Sequence, residues 1–199
     1  FNHFTGTTEA GDILFIDKDG RDDYRVLTLE FSDGKSVKVI GEHGFFDKGL
    51  NKYVYIDENN AEEFVGREFI GVSDGERQTV TLVGYRVSTE NTVAYSPVTA
   101  YHLNYYVSGL LSMPAGITGL FNIFELDGDM KYDEAKMADD IEEYGLYTYE
   151  DLAQFVPYPI FEVFNAQYLK VSVGKGLMTF EDILALIERY SSQLGIEEE

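Results

Sequence analysis

Residues 25–47 read RVLTLEFSDGKSVKVIGEHGFFD. Between Arg25 and Phe31, Val26 and Thr28 alternate with Leu27, Leu29 and Phe31, the period of a strand that turns one face inward. Ser32-Asp33-Gly34 predicts a hairpin turn, since Gly accepts the left-handed backbone that a tight reversal needs. Ser36-Val37-Lys38-Val39 then alternates again. That second strand ends at Ile40, a Gly-flanked turn carries His43, and Phe45 and Phe46 follow. Outward from this run, GDILFID, KYVYID, EFIGVS, QTVTLVGYRVS and TVAYSPVTAYHLNYYVSG repeat the texture. Each is short, rich in β-branched and aromatic residues, and bounded by Gly or Asp. Several strands at such spacing predict an all-β barrel or sandwich-like domain.

The texture breaks near MPAG, residues 113–116. Residues 1–113 hold ten Lys/Arg against eighteen Asp/Glu, a balance of −8, and residues 114–199 hold five against eighteen, a balance of −13. The second part is patterned for helices. Asp133 is the expected N-cap of EAKMADDIEEY, with Met137, Ile141 and Tyr144 on one face and Gly145 as the stop. Thr148 with Asp151 predicts a capping box for a helix through Phe155, and Thr179 with Asp182 predicts another. The latter opens ILALIERYSSQL, whose apolar stripe is Ile183, Leu184, Ile187 and Leu194. Pro157 and Pro159 interrupt the run between these helices. The acidic tail IEEE, 196–199, is expected to fray. The fold class is therefore β followed by α: a β domain over 1–113 and a helical C-terminal extension over 114–199.

Composition narrows the function. At 199 residues, 44% hydrophobic and 15% aromatic, the chain is long enough to bury roughly 70% of its extended surface without a metal or a disulfide. Thirty-six acids against fifteen bases give −21, which opposes nonspecific nucleic-acid binding and a polybasic membrane anchor. No apolar stretch approaches the ~20 residues of a membrane-spanning helix, and FNHFTGTTEAGD is not patterned as a signal peptide. With no Cys in the chain, thiol nucleophiles, disulfides and zinc–thiolate sites within it are excluded.

Three His remain, at 3, 43 and 102. His3 reads as incidental. An imidazole held at a strand end by Gly turns and aromatic packing, as His43 is, suits general acid–base work or polarisation of a peptide carbonyl. A packed structural His is the plainer alternative. DKDGRDD, Asp17 to Asp23, carries the hard oxygens that calcium prefers, but its sixth position is Asp22 where an EF-hand loop has Gly, and its twelfth is Thr28 where the loop has Glu. It reads as a solvated turn, and ELDGDMKYD at 125–133 as a loop into a helix. No Ser has a nucleophile-elbow context, and Gly174-Lys175-Gly176 lacks the spacing of a phosphate loop. His102 and Asn104 lie on the strand-like run AYHLNYYVSGLLS, either as outward polar residues or as supporting members of a site.

The order of four blocks resembles the Hint fold shared by inteins and hedgehog autoprocessing domains: DILFIDKDG, LTLEFSDGKSVKVIGEHGFFD, EEFVGREFI and YHLNYYVSGLLS. With MPAGITGLFNIFE, GLYTYEDLAQFVP and YLKVSVGKGL added, the whole chain resembles Hint-like domains with helical extensions in surface proteins of anaerobic bacteria. The resemblance implies that His43 takes the place of the family His that hydrogen-bonds the scissile amide. Ile40 stands where the family has Thr. Asp17 resembles the acid that serves hedgehog domains as base for the attacking nucleophile, and it is expected to share one pocket with His43 at a strand end. The first block, with its Cys or Ser nucleophile, is expected upstream of Phe1. Ser112-Met113 stands where inteins carry His-Asn, so Asn cyclisation is not expected. The implied activity is single-turnover autoprocessing without a cofactor, with the flanking polypeptide as substrate, or a degenerate, cleaved form of it, in a secreted or cell-surface protein. A non-catalytic binding or spacer module that contacts other surface proteins is the alternative, and a calcium-binding adhesion module the third reading. With no Cys and scattered His, no transition-metal site is expected, and calorimetry with zinc should give no submicromolar binding isotherm. A tight isotherm would overturn that reading.

Overall fold

The computed structural model describes residues 1–41, 43–114 and 122–195. Ala115 and Gly116 of the MPAG break, and the acidic tail 196–199, lie outside them. The chain divides into two compact units, one made of Phe1, Ile16–Pro97 and Asn104–Gly116, the other of Asn2–Phe15, Val98–Leu103 and Ile117–Glu199.

The first unit is built on an antiparallel sheet. Its strands are β1 (Ile13–Phe31), β2 (Ser36–Ile40), β3 (His43–Asp47), β4 (Lys52–Ile56), β5 (Glu68–Ser73), β6 (Glu76–Thr99), β7 (Tyr105–Val107) and β8 (Leu110–Met113), with a short helix α1 (Ala61–Phe64) before β5. The sheet runs β2-β1-β6-β5-β3-β8-β7; β4 lies beside β3, and β5 also meets β8. The predicted hairpin is present: Glu30 faces Ser36, Val26 faces Ile40, and Gly34 turns the chain at φ +82°. Leu29, Phe31, Val39, Phe45, Phe69 and Leu82 are among the residues packed in its core. Val26 and Thr28 are as buried as Leu27 and Leu29, so this part of β1 is covered on both faces, where the alternation predicted one.

DKDGRDD corrects the sequence reading. It is strand, the middle of the 19-residue β1. Likewise QTVTLVGYRVS and TVAYSPVT fuse into the 24-residue β6. Pairing along β6 outweighs the poor strand propensity of Asp and Gly. Arg21 Nη1 donates to the Asn91 carbonyl at 3.0 Å, and Asn91 Nδ2 to Asp23 Oδ1 at 2.8 Å. Successive side chains of a strand point to opposite faces, so these carboxylates are spread out and do not ring a cation. Among the described residues, no group of three or more His, Asp or Glu is placed to hold a metal.

The second unit contains α2 (Glu134–Tyr144), α3 (Tyr149–Leu152), α4 (Tyr158–Val163), a 3-10 turn (Ala166–Tyr168), α5 (Leu169–Gly174) and α6 (Phe180–Gln193). Its caps follow the sequence. Asp133 accepts from the Ala135 and Lys136 amides, and both Thr–Asp capping boxes close. Helix α3 stops at Leu152, short of Phe155, because the chain tightens there, with the Phe155 amide bonding back to the Leu152 carbonyl at 2.9 Å. On α6 the buried stripe is Ile183, Ile187 and Tyr190, with Leu184 and Leu194 only half-buried. Met137, Ile141 and Tyr144 share a face over Ile123, Phe124 and Val171. Besides the residues after 116, segments 2–15 and 98–103 join this unit. Backbone bonds hold them: Tyr132 N donates to His3 O at 2.8 Å, and Tyr101 N to Val163 O at 2.6 Å. Among the described residues, no helix is long and apolar enough to cross a membrane.

One buried charge stands out. Asp47, at the end of β3, has no solvent exposure. Its Oδ1 accepts from the Leu50 amide at 2.8 Å, while Arg67 Nε stands 2.7 Å from Oδ2 in an ionic contact whose N–H is not aligned on the oxygen. Removing the cation strands a buried carboxylate, so Arg67→Leu should cost about 2–3 kcal/mol in urea unfolding. A loss within about 0.5 kcal/mol, the range of neutral surface changes, would show the pair to be incidental.

Candidate functional site

Gly41 takes the left-handed backbone that favours glycine, φ +67°, and β3 opens with His43 opposite Ile56 of β4. The imidazole is half-buried and tilted against Phe45, ring centroids 6.1 Å apart. Its Nε2 lies 3.3 Å from the Tyr105 hydroxyl. Its Nδ1 is buried and makes no hydrogen bond among the described residues. Burial disfavours the charged ring and lowers its pKa from 6.5 to about 4, so His43 is neutral at pH 7: one ring nitrogen carries a proton and the other a lone pair.

One neighbouring strand, β7, reaches this ring, and β8 pairs with the backbone beside it. Tyr105, on β7, is pushed up to about 12 by burial, an effect partly offset by a hydrogen bond from Ser96 of β6. On β8, Met113 faces Gly44 and Ser112 faces Phe45. Ser112 Oγ donates to the Gly44 carbonyl at 2.9 Å, and the Tyr55 hydroxyl donates to Met113 Sδ at 3.1 Å. A Cβ on Gly44 would stand 2.2 Å from Met113 Cγ, which is why the residue after His43 is glycine. The result is a desolvated imidazole with one nitrogen anchored and the other without a partner. Such a group can meet a peptide amide as hydrogen-bond donor or acceptor.

The remaining candidates are dispersed. Asp17 is half-buried within β1, not at a strand end where a turn begins, because the turn expected after it is strand. In strand order β6 and β5 stand between its strand and that of His43. Lys18, the neighbour of Asp17, holds Nζ over the Tyr95 ring of β6 at 5.7 Å.

His102 and Asn104 are not on one strand face. Tyr101 and Leu103 both have positive φ, and the His102 amide bonds the Ala100 carbonyl at 2.7 Å, so the run bends there. The two residues fall in different units. His102 Nε2 lies 3.1 Å from Glu9 Oε1, and its pKa is lowered by burial against the pull of Glu9. Asn104 clasps Phe1, accepting from its nitrogen at 2.6 Å and donating to its carbonyl at 3.0 Å. His3, expected to be incidental, is a buried structural residue of the second unit. Its Nδ1 lies 2.6 Å from the Met130 carbonyl, and burial lowers its pKa to about 4.

Sequence reasoning missed Tyr105, Ser96 and the Ser112–Gly44 bond. Tyr105 sits inside the quoted run HLNYYVSG, but nothing local marks which of its two tyrosines turns toward an imidazole 62 residues away.

No protein-family model matches the chain, and no curated protein matches it. Among solved structures, the chain is similar in fold to the PabCDC21-1 intein, with a TM-score of 0.43, 14% identity, and coverage of 50% of this chain and 58% of that one. It is also similar to the transcription factor IIB Mvu mini-intein, with a TM-score of 0.40, 15% identity, and coverage of 50% of this chain and 61% of the other. The chain thus spans less than two thirds of the length of either intein.

His43 makes a prediction about pH. Its folded pKa lies below the unfolded value, so as pH falls below about 6.5 the unfolded chain takes up a proton that the folded chain refuses. Stability is complete above that value and declines down to about 4, by on the order of 3 kcal/mol from this group. His3 acts in the same sense. In urea unfolding at stepped pH, His43→Gln should show a shallower acid loss than wild type. An equally steep curve would remove His43 from the account.

Proposed function

We propose that this chain is a Hint-like autoprocessing module that acts once on its own flanking polypeptide. The observation that carries the reading is the His43 imidazole: neutral, desolvated, anchored through Nε2, with a buried Nδ1 that has no partner among the described residues. A buried polar atom left without a partner costs free energy, and a scissile peptide docked beside β3 would supply that partner. The position also agrees with the sequence resemblance, in which His43 is the residue that contacts the scissile amide.

In this reading a Cys or Ser of the family's first block is the nucleophile. Its sulfur or oxygen bonds to the carbonyl carbon of the preceding peptide, the C–N bond breaks, and the nucleophile's proton ends on the released amine. His43 assists by hydrogen-bonding the leaving nitrogen. A second nucleophile then bonds to that carbonyl carbon, the (thio)ester bond breaks, and the second nucleophile's proton ends on the released sulfur or oxygen. The sequence resemblance alone makes Asp17 the base for this later step, since two strands stand between it and His43. The cell-surface setting of the parent protein rests on the sequence resemblance alone.

A second reading, a non-catalytic binding or spacer module, draws on Ser112 and Met113. Both are fully buried, and Ser112 is committed to the Gly44 carbonyl, so the position where inteins carry His-Asn offers no group for C-terminal cleavage. Expression of the longer gene product with mass analysis of its fragments separates the two. His43→Ala should slow cleavage about 100-fold or more, whereas Asp17→Ala should leave (thio)ester formation intact and block transfer. Processing at the wild-type rate in both variants, or an intact wild-type product, would leave the binding-module reading.

A further inference from the structure

We propose that Tyr105, backed by Ser96, is a positioning residue that fixes the ring orientation and tautomer of His43, leaving the proton on Nδ1. The inference rests on the autoprocessing reading for its purpose, though not for its test.

The geometry is a contact between β7 and β3: the Tyr105 hydroxyl lies 3.3 Å from His43 Nε2. Ser96 of β6 is close enough to the Tyr105 oxygen to oppose the effect of burial on that phenol. A neutral imidazole has one N–H and one lone pair, and the hydrogen bond made by one nitrogen settles the state of the other. The more acidic phenol donates to the more basic ring nitrogen, so the favoured direction runs from Tyr105 to Nε2. Nε2 is then the acceptor and Nδ1 the donor. The Phe45 ring packs against the imidazole from its own strand, with centroids 6.1 Å apart.

This matters to the chemistry because the amine that leaves a broken peptide must gain a proton. A donor on Nδ1 faces that need, whereas a lone pair there would not. Tyr105 touches neither the substrate nor the nucleophile in this scheme. It acts only through His43.

The test is nitrogen-15 NMR of the histidine rings in the full 199-residue chain at neutral pH. The expected result is a protonated Nδ1 and a bare Nε2 on His43, and a protonated Nε2 would overturn the proposal. Tyr105→Phe removes the donor and should move the tautomer ratio about tenfold toward protonated Nε2. Ser96→Ala, which leaves the phenol in place, should move it less in the same direction. A ratio unchanged in Tyr105→Phe, with the amide spectrum still that of a folded chain, would also overturn it. Since neither measurement needs processing, an inactive gene product would sink the autoprocessing reading and leave the positioning role standing. A cleaving product with the wrong tautomer would do the reverse.

Discussion

Strand β3 is hydrogen-bonded to β4 along its length and shares its other edge between β8 and β5. Four of its five residues are buried. A strand enclosed in this way has no water at hand for polar groups, so each must find a partner in the protein. Asp47 finds two, the Leu50 amide and Arg67. The Gly44 carbonyl receives Ser112. Among the described residues, His43 finds one partner for two nitrogens. Two buried side-chain atoms on this strand thus make no hydrogen bond among those residues, and they differ: Asp47 Oδ2 has the Arg67 cation beside it, whereas His43 Nδ1 has no charge to offset its burial.

Much of this was legible in local sequence and some was not. The Ser32–Gly34 hairpin, the Asp133 cap and both Thr–Asp capping boxes depend on residues within a few positions of each other, and all formed as read. The fused strands β1 and β6 did not, because their Asp and Gly residues carry turn chemistry that only a distant partner strand overrides. The same holds at the site. The Gly-flanked setting of His43 pointed to it, but Tyr105 and Ser96 reach it through strand order, which no short pattern encodes. His102 and Asn104 illustrate the opposite error: neighbours in a strand-like run are parted by the left-handed Leu103, and Tyr101 just before them is left-handed too.

The division into units has a similar character. Composition changes at MPAG, yet the helical unit also holds residues 2–15 and 98–103. Backbone bonds from His3, Tyr132, Tyr101 and Val163 fix these segments, and such bonds are indifferent to whether a sequence looks β-rich or helical. The chain therefore passes between the units more than once, and a cut at residue 113 would remove partners from segments that lie well before it.

The long pairing of β1 with β6 bears on how the chain comes into being. Arg21 and Asn91, joined across these strands, are 70 residues apart. During synthesis β1 must wait, its outer edge unpaired, until most of the first unit has been made, and non-local pairing of this kind is slow. An unpaired strand rich in Ile, Leu and Phe invites association with other chains. Between ILFI and YRVLTLEF the sequence places Asp17, Lys18, Asp19, Arg21, Asp22 and Asp23. In the finished sheet these charges add little to the core, but in the nascent chain they interrupt the apolar run and keep the waiting strand in solution.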